Sequence, residues 1–308
     1  MAKILYDTIQ DEIKALKRER NALILAHNYQ AGEVQDMADY LGDSLGLALE
    51  AQKSNADVIV FCGVHFMAET VSVLCPDKTV IVPDLDAGCS LASMVTPEQI
   101  RTWKQSHPKG IVLSYVNCSA AVKAESDYCC TSANAEKVLR AIPEEHEVLF
   151  VPDFFLGRYL EEKTGRKLHL WKGFCHAHMK INSERIDELR HEHPSAEFLM
   201  HPECGCLTKS MRYADKILST EGIVKHVSES SATEFIVATE IGIIDRLKRV
   251  RPDKKFYPAG ANATCEYMKL NTLEKIVLSL ERLQYVVNVP KEIRDRARVP
   301  LERMLALS

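Results

Sequence analysis

Three cysteines, Cys89, Cys175 and Cys265, recur at intervals of 86 and 90 residues. Each stands a few positions beyond a short apolar run: "VIVPDLDAGCS", "LHLWKGFCHAH" and "FYPAGANATCE". Thiolates are soft ligands that suit zinc and iron–sulfur clusters. Three of them are one short of a closed tetrahedral site, and a [4Fe–4S] cluster on three cysteines keeps one iron free to act as a Lewis acid. A second polar set lies where other apolar runs end. "LILAHNYQ" runs straight into His27, Asn28, Tyr29 and Gln30, more hydrogen-bonding capacity than a turn requires. His27, Tyr115 and Glu203 are spaced by 88 and 88 residues, and so are Ser44, Ser132 and Thr220, each of which follows an aspartate (Asp39, Asp127, Asp215) by five positions.

That spacing implies a repeated scaffold. The runs "ADVIVFCGV", "KTVIVPD", "KGIVLSYVN", "HEVLFVPD", "AEFLMHP", "TEFIVATE" and "KKFYPAG" are short, rich in Val, Ile and Phe, and bounded by Pro, Gly or charge. Helical patterns such as "GLALEAQKSN", "AEKVLRAI" and "GIIDRLKRV" lie between them, an alternation that predicts parallel sheets covered by helices. Aligning "MADYLGDSLGLALEA", "ESDYCCTSANAEKVL" and "RYADKILSTEGIVKH" predicts a triplication in which "ILAHNYQ", "LSYVNCS" and "LMHPECG" are one strand end written three times. Open parallel sheets bind ligands beyond the carboxyl ends of their strands. Three such domains around a pseudo-threefold axis can therefore aim His27, Tyr115 and Glu203 at one central cavity. The hydroxyl residues would open helices there; N-capping is their ordinary use, and anion binding uses the same geometry.

Composition narrows the function classes. The chain has 308 residues, enough for two or three domains, and a net charge of −4 argues against a nucleic-acid binder, which needs a basic face. No apolar run approaches the ~18–20 residues of a membrane span. The opening "MAKILYDTIQDEIKALKRER" reads as an amphipathic helix with acidic members, unlike a signal peptide or presequence. A cytoplasmic protein is expected, in which structural disulfides are rare. The ten cysteines are too scattered for a disulfide scaffold and include no CxxC, and most of them are expected simply to pack. Cys204-Gly-Cys206 with His201, and Cys175 with His178, resemble fragments of zinc sites but lack the paired spacing. Cys118, Cys129 and Cys130 lie near strand ends, where packing or redox activity are both open. Neither GxGxxG nor GxxxxGK[ST] occurs, so no nucleotide loop is expected. The charge-laced segments "ERIDELRHEH" and "KEIRDRARVPLERM" read as helices with solvated faces.

With "LAHNYQ", "YLGDSLGLA", "FCGVHFMAE", "VIVPD", "SYVN", "CTSANA", "VPDFFLG", "HPEC", "ATEIG" and "NTLE" in order, the chain resembles the quinolinate synthase family over essentially its whole length. The resemblance implies three three-layer α/β/α domains around a cavity, expected here at residues 1–88 with 266–308, 89–174 and 175–265. It implies a [4Fe–4S] cluster on Cys89, Cys175 and Cys265. The implied reaction condenses iminoaspartate with dihydroxyacetone phosphate to quinolinate, releasing phosphate and two waters, in the pathway to NAD, with L-aspartate oxidase as a functional partner that supplies the imine. By position it implies catalytic roles for His27, Tyr29, Tyr115 and Glu203. Substrate contacts are implied at His27, Ser44, Tyr115, Asn117, Ser132, His178, His201, Glu203 and Thr220. Imidazole, phenol and carboxyl groups suit proton transfer. Some members carry a CxxCxxC run at the last ligand; here "NATCEYMKL" has one cysteine, which puts a disulfide switch of that kind in doubt. A thiol-based redox sensor or zinc protein without catalysis is the alternative.

Overall fold

The computed structural model describes residues 7–308, so the first six residues of the opening amphipathic segment lie outside the described residues; the rest of it forms the helix Ile9–Glu19. Short Val/Ile-rich runs too brief for helices become buried strands. Those of the first unit are β1 (Ala22–His27), β2 (Tyr40–Gly42), β3 (Val58–Cys62) and β4 (Thr79–Ile81). The second contains β5 (Ile111–Tyr115), β6 (Tyr128–Cys130), β7 (Val148–Val151) and β8 (His169–Leu170). The third contains β9 (Glu197–Met200), β10 (Lys216–Ile217), β11 (Glu234–Ala238) and β12 (Lys255–Pro258). The sheets are ordered β2-β1-β3-β4, β6-β5-β7-β8 and β10-β9-β11-β12, with parallel pairing throughout. The chain is thus three α/β/α domains of one topology. Central strands such as β3 are buried at every residue, as expected of strands covered on both faces.

The aspartates at 88-residue spacing build the scaffold. Asp39 N–H donates to the Ile24 carbonyl (2.9 Å) while its Oδ2 accepts the Ile24 N–H (2.8 Å). Asp127 makes the same pair with Val112 (2.9 and 2.8 Å), and Asp215 with Phe198 (2.9 and 2.7 Å). Each carboxylate supplies a ladder acceptor where the edge strand begins. The strands it starts (β2, β6 and β10) are absent from the sequence-based list because two or three residues show no periodicity.

These pairs also correct the repeat. Ile24 and Val112 are 88 residues apart, but Val112 and Phe198 are 86. The equivalent of His27 and Tyr115 is therefore His201, with Glu203 two positions on, in register with Tyr29 and Asn117. The third unit holds two extra residues between strand and aspartate. A shared hydrogen bond supports this register: Tyr29 N–H donates to His27 Nδ1 (3.2 Å), and Glu203 N–H to His201 Nδ1 (3.4 Å).

The cysteine loops repeat as closely. Three residues after each cysteine a single 3₁₀ turn begins (Ala92–Met94, His178–Lys180, Met268–Leu270). A side-chain cap then opens a ten-residue helix: Thr96 before Pro97–Ser106, Asn182 before Ser183–Glu192, and Thr272 before Leu273–Arg282.

The segment grouped with the first domain on sequence grounds divides its packing. Leu273–Arg282 lies on β3 and the Ile9–Glu19 helix, whereas the helix Lys291–Ala306 lies against β6, the short helix Ala120–Lys123 and the helix His65–Leu74. That last helix buries Ala297, Pro300, Leu301 and Met304, so its "KEIRDRARVPLERM" sequence is solvated on one side only. No helix among the described residues is long and apolar enough to cross a membrane.

Candidate active site

Parallel sheets of this topology end their central strands side by side, and the polar loops that follow converge. His27, Tyr29, Ser44, Cys89, Tyr115, Asn117, Ser132, Cys175, His178, His201, Glu203, Thr220 and Cys265 all line one interior cavity. Ser44 and Thr220 are the first residues of the helices Ser44–Lys53 and Thr220–Glu229, capped by Asp43 and Ser219. Ser132 differs: it sits in a turn three residues before the helix Ala135–Ala141. Thr131 holds that turn through Asn134 Oδ1, which accepts its N–H at 2.8 Å.

Glu203 is the buried acid at the centre. Asn117 Nδ2 donates to its Oε1 (3.0 Å), and its Oε2 lies 3.4 Å from His178 Nδ1 and 3.5 Å from His201 Nδ1. Burial raises its pKa to about 7, opposed by a hydrogen bond from Tyr115. A carboxyl near neutrality can both take and give a proton. Burial likewise raises Tyr29 and Tyr115 well above the usual phenol range, with the Glu203 charge adding to both, so each stays a neutral O–H donor. Tyr29 OH and His178 Nε2 meet at Thr239 Oγ1.

The three histidines are neutral. Burial lowers His27 and His178 to about 3 and His201 well below its ordinary value. Because His27 and His201 accept a backbone N–H at Nδ1, their protons sit on Nε2. His201 Nε2–H donates to Ser132 Oγ (3.2 Å), joining the third unit to the second.

Sequence reasoning missed a group at the ends of the neighbouring strands. Thr239 and Glu240 follow β11, and Asp153 follows β7. Reading strand-end polarity in every central strand, not one per sheet, would have found them. Glu240 is fully buried: its Oε2 accepts the Gly242 N–H (2.6 Å), its Oε1 accepts the Cys265 N–H (3.0 Å), and Lys269 Nζ pairs with it at 3.1 Å. Burial raises its pKa, with Lys269 opposing. Lys269 also donates to the Tyr29 carbonyl, tying the Tyr29 and Cys265 loops together. A Cβ at Gly242 would stand 2.4 Å from that same carbonyl, so only glycine lets the loop after β11 approach the Tyr29 loop.

The cysteines test whether a metal cluster fits. Cys89, Cys175 and Cys265 are free and half-buried. Burial raises Cys89 to about 12, Cys265 to about 11 and Cys175 well above its ordinary value; the charges of Cys265 and Glu203 add to the rise at Cys89, and those of Glu203, Cys89 and Cys265 at Cys175. Backbone N–H groups oppose it, from Leu91 and Ala92 at Cys89, His178 at Cys175, and Tyr267 and Met268 at Cys265. Three converging thiols, each with N–H donors from the turn after it, form a site that ionises only around a cation. N–H to sulfur bonds of this kind tune iron–sulfur clusters. The donor set fits a cluster held on three cysteines. Ligand atoms of Cys175, His178 and Glu203 also lie within 4.8 Å of one another, a second grouping able to hold a metal ion.

The remaining cysteines are elsewhere. Cys62, Cys75, Cys118, Cys129 and Cys130 are free and buried, as packing predicts. Cys204 and Cys206, in contrast, are joined by a disulfide across Gly205, against the expectation that such bonds are rare here; their Cα atoms are 5.3 Å apart.

Comparison with known proteins adds an independent line. The family model described as "Quinolinate synthetase A protein" matches residues 11–306. A quinolinate synthase of Thermus thermophilus is 52% identical over 309 residues, covering 100% of both chains. Another from Pyrobaculum aerophilum is 52% identical over 302 residues, covering 96% of this chain and 98% of the relative. "Quinolinate synthase 2" of Methanosarcina acetivorans is 53% identical over 300 residues, covering 97% and 96%.

Proposed function

The chain belongs to the quinolinate synthetase A protein family, and from that premise we propose that it condenses iminoaspartate with dihydroxyacetone phosphate to quinolinate, phosphate and two waters. The observation that carries this reading is the convergence, on one cavity, of three free cysteines with a buried carboxyl near neutrality. Cys89, Cys175 and Cys265 would hold a [4Fe–4S] cluster, which supplies a Lewis-acidic iron with no protein ligand.

The reaction forms one carbon–carbon and one carbon–nitrogen bond, expels phosphate, and needs protons removed from carbon and delivered to two departing hydroxyls. Glu203 is suited to the carbon proton: buried, near neutrality and held by Asn117. Tyr29 and Tyr115, kept as neutral phenols, donate to developing negative charge on oxygen. His27 presents Nε2–H and His178 completes the chain through Thr239, so both orient substrate without adding charge. Ser44, Ser132 and Thr220 offer hydroxyls at the cavity wall for carboxylate or phosphate oxygens. His201, bonded to Ser132, positions that hydroxyl.

The imine would come from an oxidase acting on L-aspartate. Eight free cysteines suit a reducing compartment, which supports work in the cytoplasm. The alternative, a zinc or thiol-sensing protein, draws on the Cys175, His178 and Glu203 grouping. Anaerobic purification followed by assay for quinolinate from the two substrates separates them. A brown protein that forms quinolinate supports the proposal; a colourless zinc protein that forms none sinks it.

A further inference from the structure

At the opposite end of the second sheet, ligand-type side chains from three separate segments meet. His107 follows the Pro97–Ser106 helix, Glu147 immediately precedes β7, and His169 opens β8. Their ligand atoms all lie within 4.8 Å of one another. Glu147 Oε2 is 4.0 Å from His107 Nε2, and its Oε1 is 4.0 Å from His169 Nε2. Among the described residues no Lys or Arg pairs with Glu147; its charged partners are these two imidazoles.

The rings are prepared for ligation. His107 Nδ1–H donates to the Trp103 carbonyl at 2.9 Å, with Ser106 Oγ a further neighbour at 3.0 Å. In the neutral ring that bond puts the proton on Nδ1 and turns Nε2 toward Glu147, the arrangement in which metal-binding histidines are held. The His107 ring is stacked on Trp103 with centroids 4.3 Å apart and planes 7° from parallel. His169 packs edge-on to both rings, at 5.5 Å from Trp103 and 5.0 Å from His107. Aromatic packing thus fixes two ligands, while Glu147 is exposed and free to swing.

We propose that His107, Glu147 and His169 form a binding site for a divalent transition-metal cation of the zinc type, completed by water. Two imidazoles and one carboxylate match zinc; calcium and magnesium prefer sites built from oxygen. Metal–ligand bonds of ~2.0–2.2 Å in tetrahedral geometry place ligand atoms ~3.4 Å apart. The ligand atoms, now within 4.8 Å of one another, therefore close by rotation of the Glu147 side chain together with a small adjustment of the half-exposed rings. The site lies at the amino ends of β7 and β8, away from the cavity at the carboxyl ends. A bound cation there clips the helix, β7 and β8 to one another and leaves turnover untouched.

The test titrates the cluster-loaded full chain anaerobically with Co²⁺, then with Zn²⁺ as competitor. Wild type should bind one equivalent of Co²⁺ with d–d bands of nitrogen and oxygen ligation and no added thiolate-to-cobalt charge transfer, and Zn²⁺ should displace it. Glu147→Gln and His169→Gln should each weaken binding at least about tenfold, with iron content and turnover unchanged. Zn²⁺ should raise the thermal midpoint of wild type and not that of either variant. Equal Co²⁺ binding by wild type and both variants, or a spectrum of thiolate ligation alone, overturns the proposal.

Discussion

Replacing Glu203 by Gln removes one titratable proton and little else. The amide is the same size, and its oxygen can still accept from Asn117 Nδ2, which stands at 3.0 Å. In the wild-type protein burial moves the carboxyl from an ordinary 4.5 to about 7, so its charged form is disfavoured by about 3 kcal/mol. The native state keeps the proton between those two values while the unfolded chain loses it. Stability contributed by this group is therefore unaffected below pH 4.5, falls as pH rises, and reaches its full penalty above about 7. The same displacement sets the rate profile. A base with this pKa is competent only once ionised, so kcat/KM should rise through about pH 7 and level off above it. Glu203→Gln should lower single-turnover quinolinate formation by ~10²-fold or more and abolish that limb of the profile. Iron content should be unchanged, and urea unfolding at pH 8 should show the variant no less stable than wild type. A variant with wild-type turnover, or a wild-type profile flat across the neutral range, would refute the assignment of the proton to Glu203.

Cys89→Ser, Cys175→Ser and Cys265→Ser should each lose most of the iron and sulfide, by chemical analysis of anaerobically reconstituted protein, whereas Cys62→Ser, Cys75→Ser and Cys118→Ser should stay near normal. Tyr29→Phe should keep its iron and still bind a dicarboxylate analogue, but turn over ~10²-fold more slowly. Lys269→Met leaves the buried Glu240 without its counter-charge and should cost ~3–5 kcal/mol in urea unfolding, together with iron from the loosened Cys265 loop. Asp127→Ala leaves the Val112 N–H of β5 without its acceptor where β6 begins alongside, and should cost about 1–3 kcal/mol; a loss within experimental error would mean water replaces the carboxylate.

The three-domain architecture was legible because buried parallel strands read as Val/Ile-rich runs and because the cysteine and aspartate spacings repeat. The cavity residues were legible for a related reason: polar groups at the ends of apolar runs stand out. The two-residue offset that makes His201, not Glu203, the counterpart of His27 was not, since equal spacing of 88 concealed an insertion that the Asp215–Phe198 hydrogen bonds locate. Glu240 and Lys269 were missed because they work on the backbone of neighbouring loops, a relation among segments far apart in sequence. The Cys204–Cys206 bond was missed because composition argued about the compartment, while the turn after β9 brings the two Cα atoms to 5.3 Å.

A frame with three equivalent walls would accept one ligand in three rotated poses, of which two would be unproductive. Here the equivalent positions hold His27, Tyr115 and His201 at the strand ends, and Tyr29, Asn117 and Glu203 two residues on. Glu203 is the only acid among these six. For the proposed substrate, which carries both an acidic carbon–hydrogen bond and carboxylates, one orientation would present the proton to Glu203 and keep the negative charges away from it. The triplicated scaffold supplies convergence, and the mismatch among its copies would supply the choice of pose.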